Sequence, residues 1–118
     1  MTDGSSRARR VVVTGIGCIT PIGANYSATL ESALAGRSGV VPISLFEASE
    51  FASAIAGQVP EAPVPAVLSA KELRRTNRCV LFALEAAAEA LADSGLVIEA
   101  ENRDRVGVAI GSGIGGLG

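Results

Sequence analysis

The sequence predicts an α/β fold, and three observations carry the prediction. Two β-branched apolar runs, residues 11–13 and 106–110, each pass straight into a glycine-rich loop, the pattern of a buried strand ending in a turn. Two helix-forming stretches lie between them, so strand and helix alternate along the chain. Aromatic residues make up 3% of a chain that is 48% hydrophobic, so the core must come from Val, Ile, Leu and Ala, as in buried strands and close-packed helices. Two short strands joined by helical crossovers bury neither both faces of a sheet nor its edges, so the fold is expected to be incomplete in this chain.

Residues 1–8 are expected to form a flexible leader, with a single α/β unit over 9–118. The first strand, Val11, Val12 and Val13, stops at Thr14-Gly15-Ile16-Gly17, and Pro21 and Gly23 extend the loop. Asn25 can cap a helix whose apolar face includes Leu30, Ala33 and Leu34, and Gly36 ends it. Between residues 37 and 68 the prolines at 42, 60, 63 and 65 interrupt any long element, and only 52–59 resembles an extended piece. This stretch reads as an irregular excursion within one domain rather than an interdomain linker. Ser69 and Glu72 match the S-x-x-E capping box of a helix running to Asp93, with a break near Thr76-Asn77. Val80, Leu84, Ala87 and Leu91 recur at helical spacing and are expected to form its buried stripe, while neighbouring alanines permit a close approach. Gly95 stops the helix. The second strand, 106–110, leads into Gly111-Ser112-Gly113-Ile114-Gly115-Gly116.

The composition excludes several functions. A net charge of −2 gives no global drive toward nucleic acid or an anionic membrane. The chain has no histidine, which removes the usual base for a serine or cysteine nucleophile and the commonest metal ligand. Cys18 and Cys79 lie in apolar stretches without C-x-x-C spacing and read as small core residues. Arg7, Arg9 and Arg10 before an apolar stretch imitate a signal peptide, but Thr14, Gly15, Gly17, Thr20 and Pro21 interrupt that stretch, and no apolar run approaches the ~18 residues of a membrane span. A cytoplasmic protein without metal or cofactor is the expectation.

Gly111, Gly113 and Gly116 satisfy the G-x-G-x-x-G spacing of a dinucleotide site after a strand. The competing reading is a loop whose backbone must crowd something lying against it. Ser112 is not a hydrolase elbow, since residues 110 and 114 are isoleucines where that motif needs glycines. Lys71, Arg74, Arg75 and Arg78, at i, i+3, i+4 and i+7, would share one face of a continuous helix. Positive charge in first turns opposes the helix dipole. The cluster therefore suits a binding face for a partner as well as it suits a solvated surface.

Taken together, residues 9–17, Pro21 with Gly23, 34–39, 71–75, 93–96 and 105–118 resemble, in order, the opening of the elongating β-ketoacyl-acyl carrier protein synthases. The resemblance implies the N-terminal part of a thiolase-like layered αβαβα fold, in an enzyme that works as a homodimer. Its reaction is the decarboxylative condensation of an acyl group with malonyl-acyl carrier protein in fatty acid synthesis. It implies further that the family's cysteine nucleophile, two histidines and lysine correspond to positions beyond Gly118, so no catalytic residue is expected among these 118 and the chain alone is expected to be inactive. Ile114 matches a residue lining the acyl pocket near the dimer interface. Lys71, Arg74 and Arg75 match basic positions that dock the acidic acyl carrier protein, whereas Arg78 matches none and Thr76-Asn77 departs from the usual run. A polyketide-type ketosynthase shares these opening motifs. A nucleotide-binding α/β domain using Gly111, Gly113 and Gly116, or a binding-only module acting through the basic cluster, are the readings from other classes.

Overall fold

The computed structural model describes residues 9–59 and 61–116; the leader expected over 1–8, Pro60 and residues 117–118 lie outside them. The elements run α1 (Tyr26–Leu34), β1 (Val40–Pro42), β2 (Ile55–Gly57), α2 (Ala70–Leu73), α3 (Arg78–Ser94) and a 3-10 turn at Arg103–Arg105.

Local rules account for the helix ends. Asn25 Oδ1 accepts the Ala28 N–H at 2.8 Å and starts α1. Gly36, at φ 67°, supplies the left-handed residue beyond its end. Ser69 and Glu72 form the reciprocal capping box of α2. Gly95, at φ 65°, ends α3 in the left-handed conformation. The break expected near Thr76-Asn77 separates α2 from α3.

The sheet differs from expectation. Residues 11–13 and 106–110 belong to no strand, and Val11 (93%), Val13 (81%) and Val108 (83%) stand exposed. A strand exists only where a neighbour completes its hydrogen bonds, and no described segment pairs with either run. The sheet that does form is an antiparallel pair, β1 with β2, in register Val40 to Gly57, Val41 to Ala56 and Pro42 to Ile55. Gln58 clamps it, its Oε1 accepting from the Ser44 and Leu45 N–H groups and its Nε2 donating to the Pro42 carbonyl. Pro21 lies so close to Gly39 and Gly57 that a side chain at either glycine would press on it, which ties this hairpin to the 20–23 turn.

The first glycine loop packs closely against the backbone of α3. A Cβ at Gly15 would run into the Ala90 carbonyl and the Ser94 N–H, and one at Gly17 into Ala86 and Ala90. The buried stripe expected on α3 is accordingly displaced. Val80, Ala87 and Leu91 are exposed and Leu84 is half-buried, while Leu81 is buried. Bulk does not decide which face is used; a glycine backbone seeks alanines and serine, which let it approach closely. Among the described residues only Ser32, Ala48, Pro65 and Leu81 are buried. The Cα radius of gyration, 19.2 Å, exceeds the roughly 13–14 Å of a compact chain of this length. These elements therefore form a partial α/β scaffold whose apolar faces remain uncovered.

Candidate functional site

The first turns of α3 stand beside both glycine loops. Cys18 and Ile19 from one loop, Ile110, Ser112 and Gly115 from the other, and Cys79 and Phe82 of α3 border a largely apolar cavity of about 740 Å³. Both thiols are half-buried and unbonded to each other.

Two carboxylates hold the first loop. Glu89 Oε2 accepts the Cys18 N–H at 2.9 Å while its Oε1 accepts the Tyr26 N–H at 2.8 Å. Asp93, one helical turn on, accepts the Ile16 N–H at 2.9 Å. Glu89 thus satisfies a free donor at the start of α1 and fastens that helix and the loop to α3 at once. These acids were not singled out from the sequence. The available signal was their spacing, since Glu89 and Asp93 flank Ala86 and Ala90 on one face of the helix.

In the second loop Gly115 adopts φ 76° and its N–H donates to Ser112 Oγ at 2.9 Å. Ser112 therefore shapes a turn. Asn77, at the N-cap position of α3, makes no capping bond with its side chain; it lies instead against Gly116, where an added Cβ would overlap its amide. Ile114 does not border the cavity and is 76% exposed. No group of three or more His, Cys, Asp and Glu residues is gathered for a metal among the described residues.

The basic residues do not share one helical face. α2 ends at Leu73, Arg74 caps it and Arg75 lies in the turn, so the argument from α3's dipole applies to Arg78 alone. Arg78 is exposed but engaged, its guanidinium donating to the Val59 carbonyl and lying 5.3 Å from the Phe82 ring centroid. Lys71, Arg74 and Arg75 are exposed. Arg74 Nε bonds the Ala70 carbonyl at 3.2 Å, and no carboxylate among the described residues forms an ion pair with any of the three. Glu72, the adjacent acid, is engaged by Ser69. The Ser69 hydroxyl and then its backbone N–H hold the Glu72 carboxyl below its usual pKa.

The model of the beta-ketoacyl synthase N-terminal domain matches residues 8–118. The chain belongs to this family. The 3-oxoacyl-(acyl-carrier-protein) synthase 2 of Coxiella burnetii is 50% identical over 109 residues, 92% of this chain and 26% of the relative. That of Vibrio harveyi is 44% identical over the same shares. A solved structure, the ishigamide ketosynthase/chain length factor, matches 75% of this chain and 22% of its own with a TM-score of 0.61 and 33% identity. The chain thus spans about a quarter of the length of the curated relatives it matches. Its helices and small sheet are part of the thiolase-like α/β fold of the β-ketoacyl synthases, and the 111–116 loop is a segment of that family's domain rather than a dinucleotide fingerprint.

Proposed function

We propose that this β-ketoacyl synthase segment serves fatty acid elongation. An acyl thioester delivered by acyl carrier protein is transferred to an enzyme cysteine. Malonyl-acyl carrier protein then loses carbon dioxide, and the carbanion so formed attacks the acyl-enzyme carbonyl, expelling the cysteine thiolate and giving a 3-oxoacyl product two carbons longer. The observation that carries this reading is the 50% identity, across 92% of the chain, to a relative named for that synthase activity. Neither Cys18 nor Cys79 serves as the nucleophile in this reading, since neither matches the position of the family's cysteine. The residues of this chain bind and shape: Lys71, Arg74 and Arg75 dock the acidic carrier protein, and Ile114 limits the acyl pocket. A cytoplasmic homodimer completes the proposal. No described helix is long and apolar enough to cross a membrane.

The decisive experiment supplies the full-length polypeptide of the native reading frame with acyl- and radiolabelled malonyl-carrier protein. Release of carbon dioxide with formation of 3-oxoacyl-carrier protein is expected; absence of both with every acyl donor overturns the reading. Within it, R74E/R75E weakens carrier-protein binding about tenfold and flattens its salt dependence, measured by calorimetry at two ionic strengths. An unaltered affinity returns the cluster to a solvated surface. A polyketide-type ketosynthase is the second reading, favoured by the likeness to the ishigamide ketosynthase/chain length factor. Reaction with a polyketide carrier protein in preference to the fatty acid carrier selects it.

A further inference from the structure

Asn77 occupies a position whose usual task it does not perform. At a helix N-cap an asparagine oxygen ordinarily accepts the N–H two or three residues on; here the Val80 and Leu81 N–H groups go to the Asn77 backbone carbonyl and its side chain makes no such bond. The side chain packs against the 111–116 loop instead. Its Nδ2, Cγ and Cβ occupy the space a side chain at Gly116 would need, and it borders the cavity together with Gly111, Ser112 and Gly115. A Cβ added at Gly111, Gly113 or Gly115 would meet nothing within 4 Å, so among the loop's glycines Gly116 is where the N-cap side chain of α3 bears on it. The base of the prop is itself fixed, because the next residue, Arg78, is bonded to the Val59 carbonyl and stacked on Phe82.

We propose that Asn77 is a positioning residue: its side chain props the 111–116 loop from the α3 side and so sets how Ile114 is presented to the acyl group. The inference rests on the elongation reading above. A prop of this kind acts through the loop, so its removal changes which acyl chains fit more than it changes the chemistry of a chain that already fits. Because the pair Asn77–Gly116 is in direct contact, substitutions at the two positions are coupled.

The test compares kcat/KM for short and long acyl-carrier proteins in the full-length polypeptide and in N77A, N77D, G116A and N77A/G116A. N77A is expected to shift the long-to-short ratio about tenfold, the low end of the range that one methylene of pocket space commands. N77D, of the same shape, retains the parental ratio. G116A loses long-chain activity about tenfold, and adding N77A, which removes Nδ2 and Cγ and leaves only Cβ beside the new methyl, restores part of it. If N77A does not fold, N77S reads the same ratio. An unchanged ratio in N77A or N77S, or a double variant no better than G116A, overturns the inference while leaving the elongation reading intact. A parent that condenses no acyl donor overturns both.

Discussion

The two glycine loops are alike in sequence and opposite in surroundings. At Gly15 and Gly17 the backbone of α3 lies where a side chain would have to go, and Glu89 and Asp93 bind the loop's N–H groups. At Gly111 and Gly113 an added Cβ would meet nothing within 4 Å, and at Gly116 the nearest atoms it would meet belong to one side chain, Asn77. In the first loop glycine is demanded by packing against the scaffold. In the second, among the described residues, only Gly115, with its φ of 76°, and Gly116, against Asn77, show a demand for glycine. The difference separates a structural joint from a candidate site within one small chain.

The sharpest way to break this comparison is Gly17→Val in the full-length polypeptide. The valine must displace the Ala86 and Ala90 backbone, which cannot give as a flexible side chain would. A loss of about 3 kcal/mol is expected, read from urea unfolding. A parental midpoint would mean that the loop does not rest on α3. Glu89→Ala comes next. It leaves the Cys18 and Tyr26 N–H groups without their charged acceptor, a loss of about 2 kcal/mol, reduced by water at the exposed Tyr26 end. Glu89→Gln, which retains one acceptor oxygen, should recover part of it.

Away from both loops, Ser69→Ala removes the cap of α2, with about 1 kcal/mol expected from the same unfolding measurement. The box is also acid-sensitive in a defined direction. Because folding holds the Glu72 carboxyl below its ordinary value, its contribution is fully present above the unfolded pKa and is lost as pH falls through the folded one. The helical signal of α2 should therefore weaken on acidification in the parent and respond less in Ser69→Ala. Equal acid response in the two would detach the box from Glu72's ionisation.

These elements also show what a single sequence can reveal. Asn25, Ser69 with Glu72, and Gly95 mark helix ends by rules that operate within four residues, and each stands where the pattern places it. The runs 11–13 and 106–110 read as strands, yet pairing is a property of neighbours, and none is present among the described residues. The pair that forms, β1 with β2, was hidden by Pro42, which reads as a breaker but sits at the end of a three-residue edge strand where its missing N–H costs little. At the site, the exposed cations Lys71, Arg74 and Arg75 were legible as a cluster. The resemblance set Arg78 apart from them, but helical spacing did not, because its partner Val59 lies 19 residues away. Asn77 and Glu89 were missed for the same reason, their partners being 39 residues on for one and up to 71 residues back for the other.

The smallest effect is the most discriminating. Gly113 has no positive φ and no neighbour within 4 Å, so Gly113→Ala should alter stability by no more than about 0.5 kcal/mol, against the large loss at Gly17. If the loop beside Ile114 presents a surface to the acyl chain, the same methyl narrows the space available there, and long acyl donors lose kcat/KM relative to short ones while the unfolding midpoint stays put. A destabilisation as large as that of Gly17→Val would show that another part of the full-length protein packs on Gly113 as α3 packs on Gly17. The two loops would then be structural joints of one kind. Silence in both stability and selectivity would remove Gly113 from the acyl surface and leave Gly116, with its prop Asn77, as the point through which the loop is held.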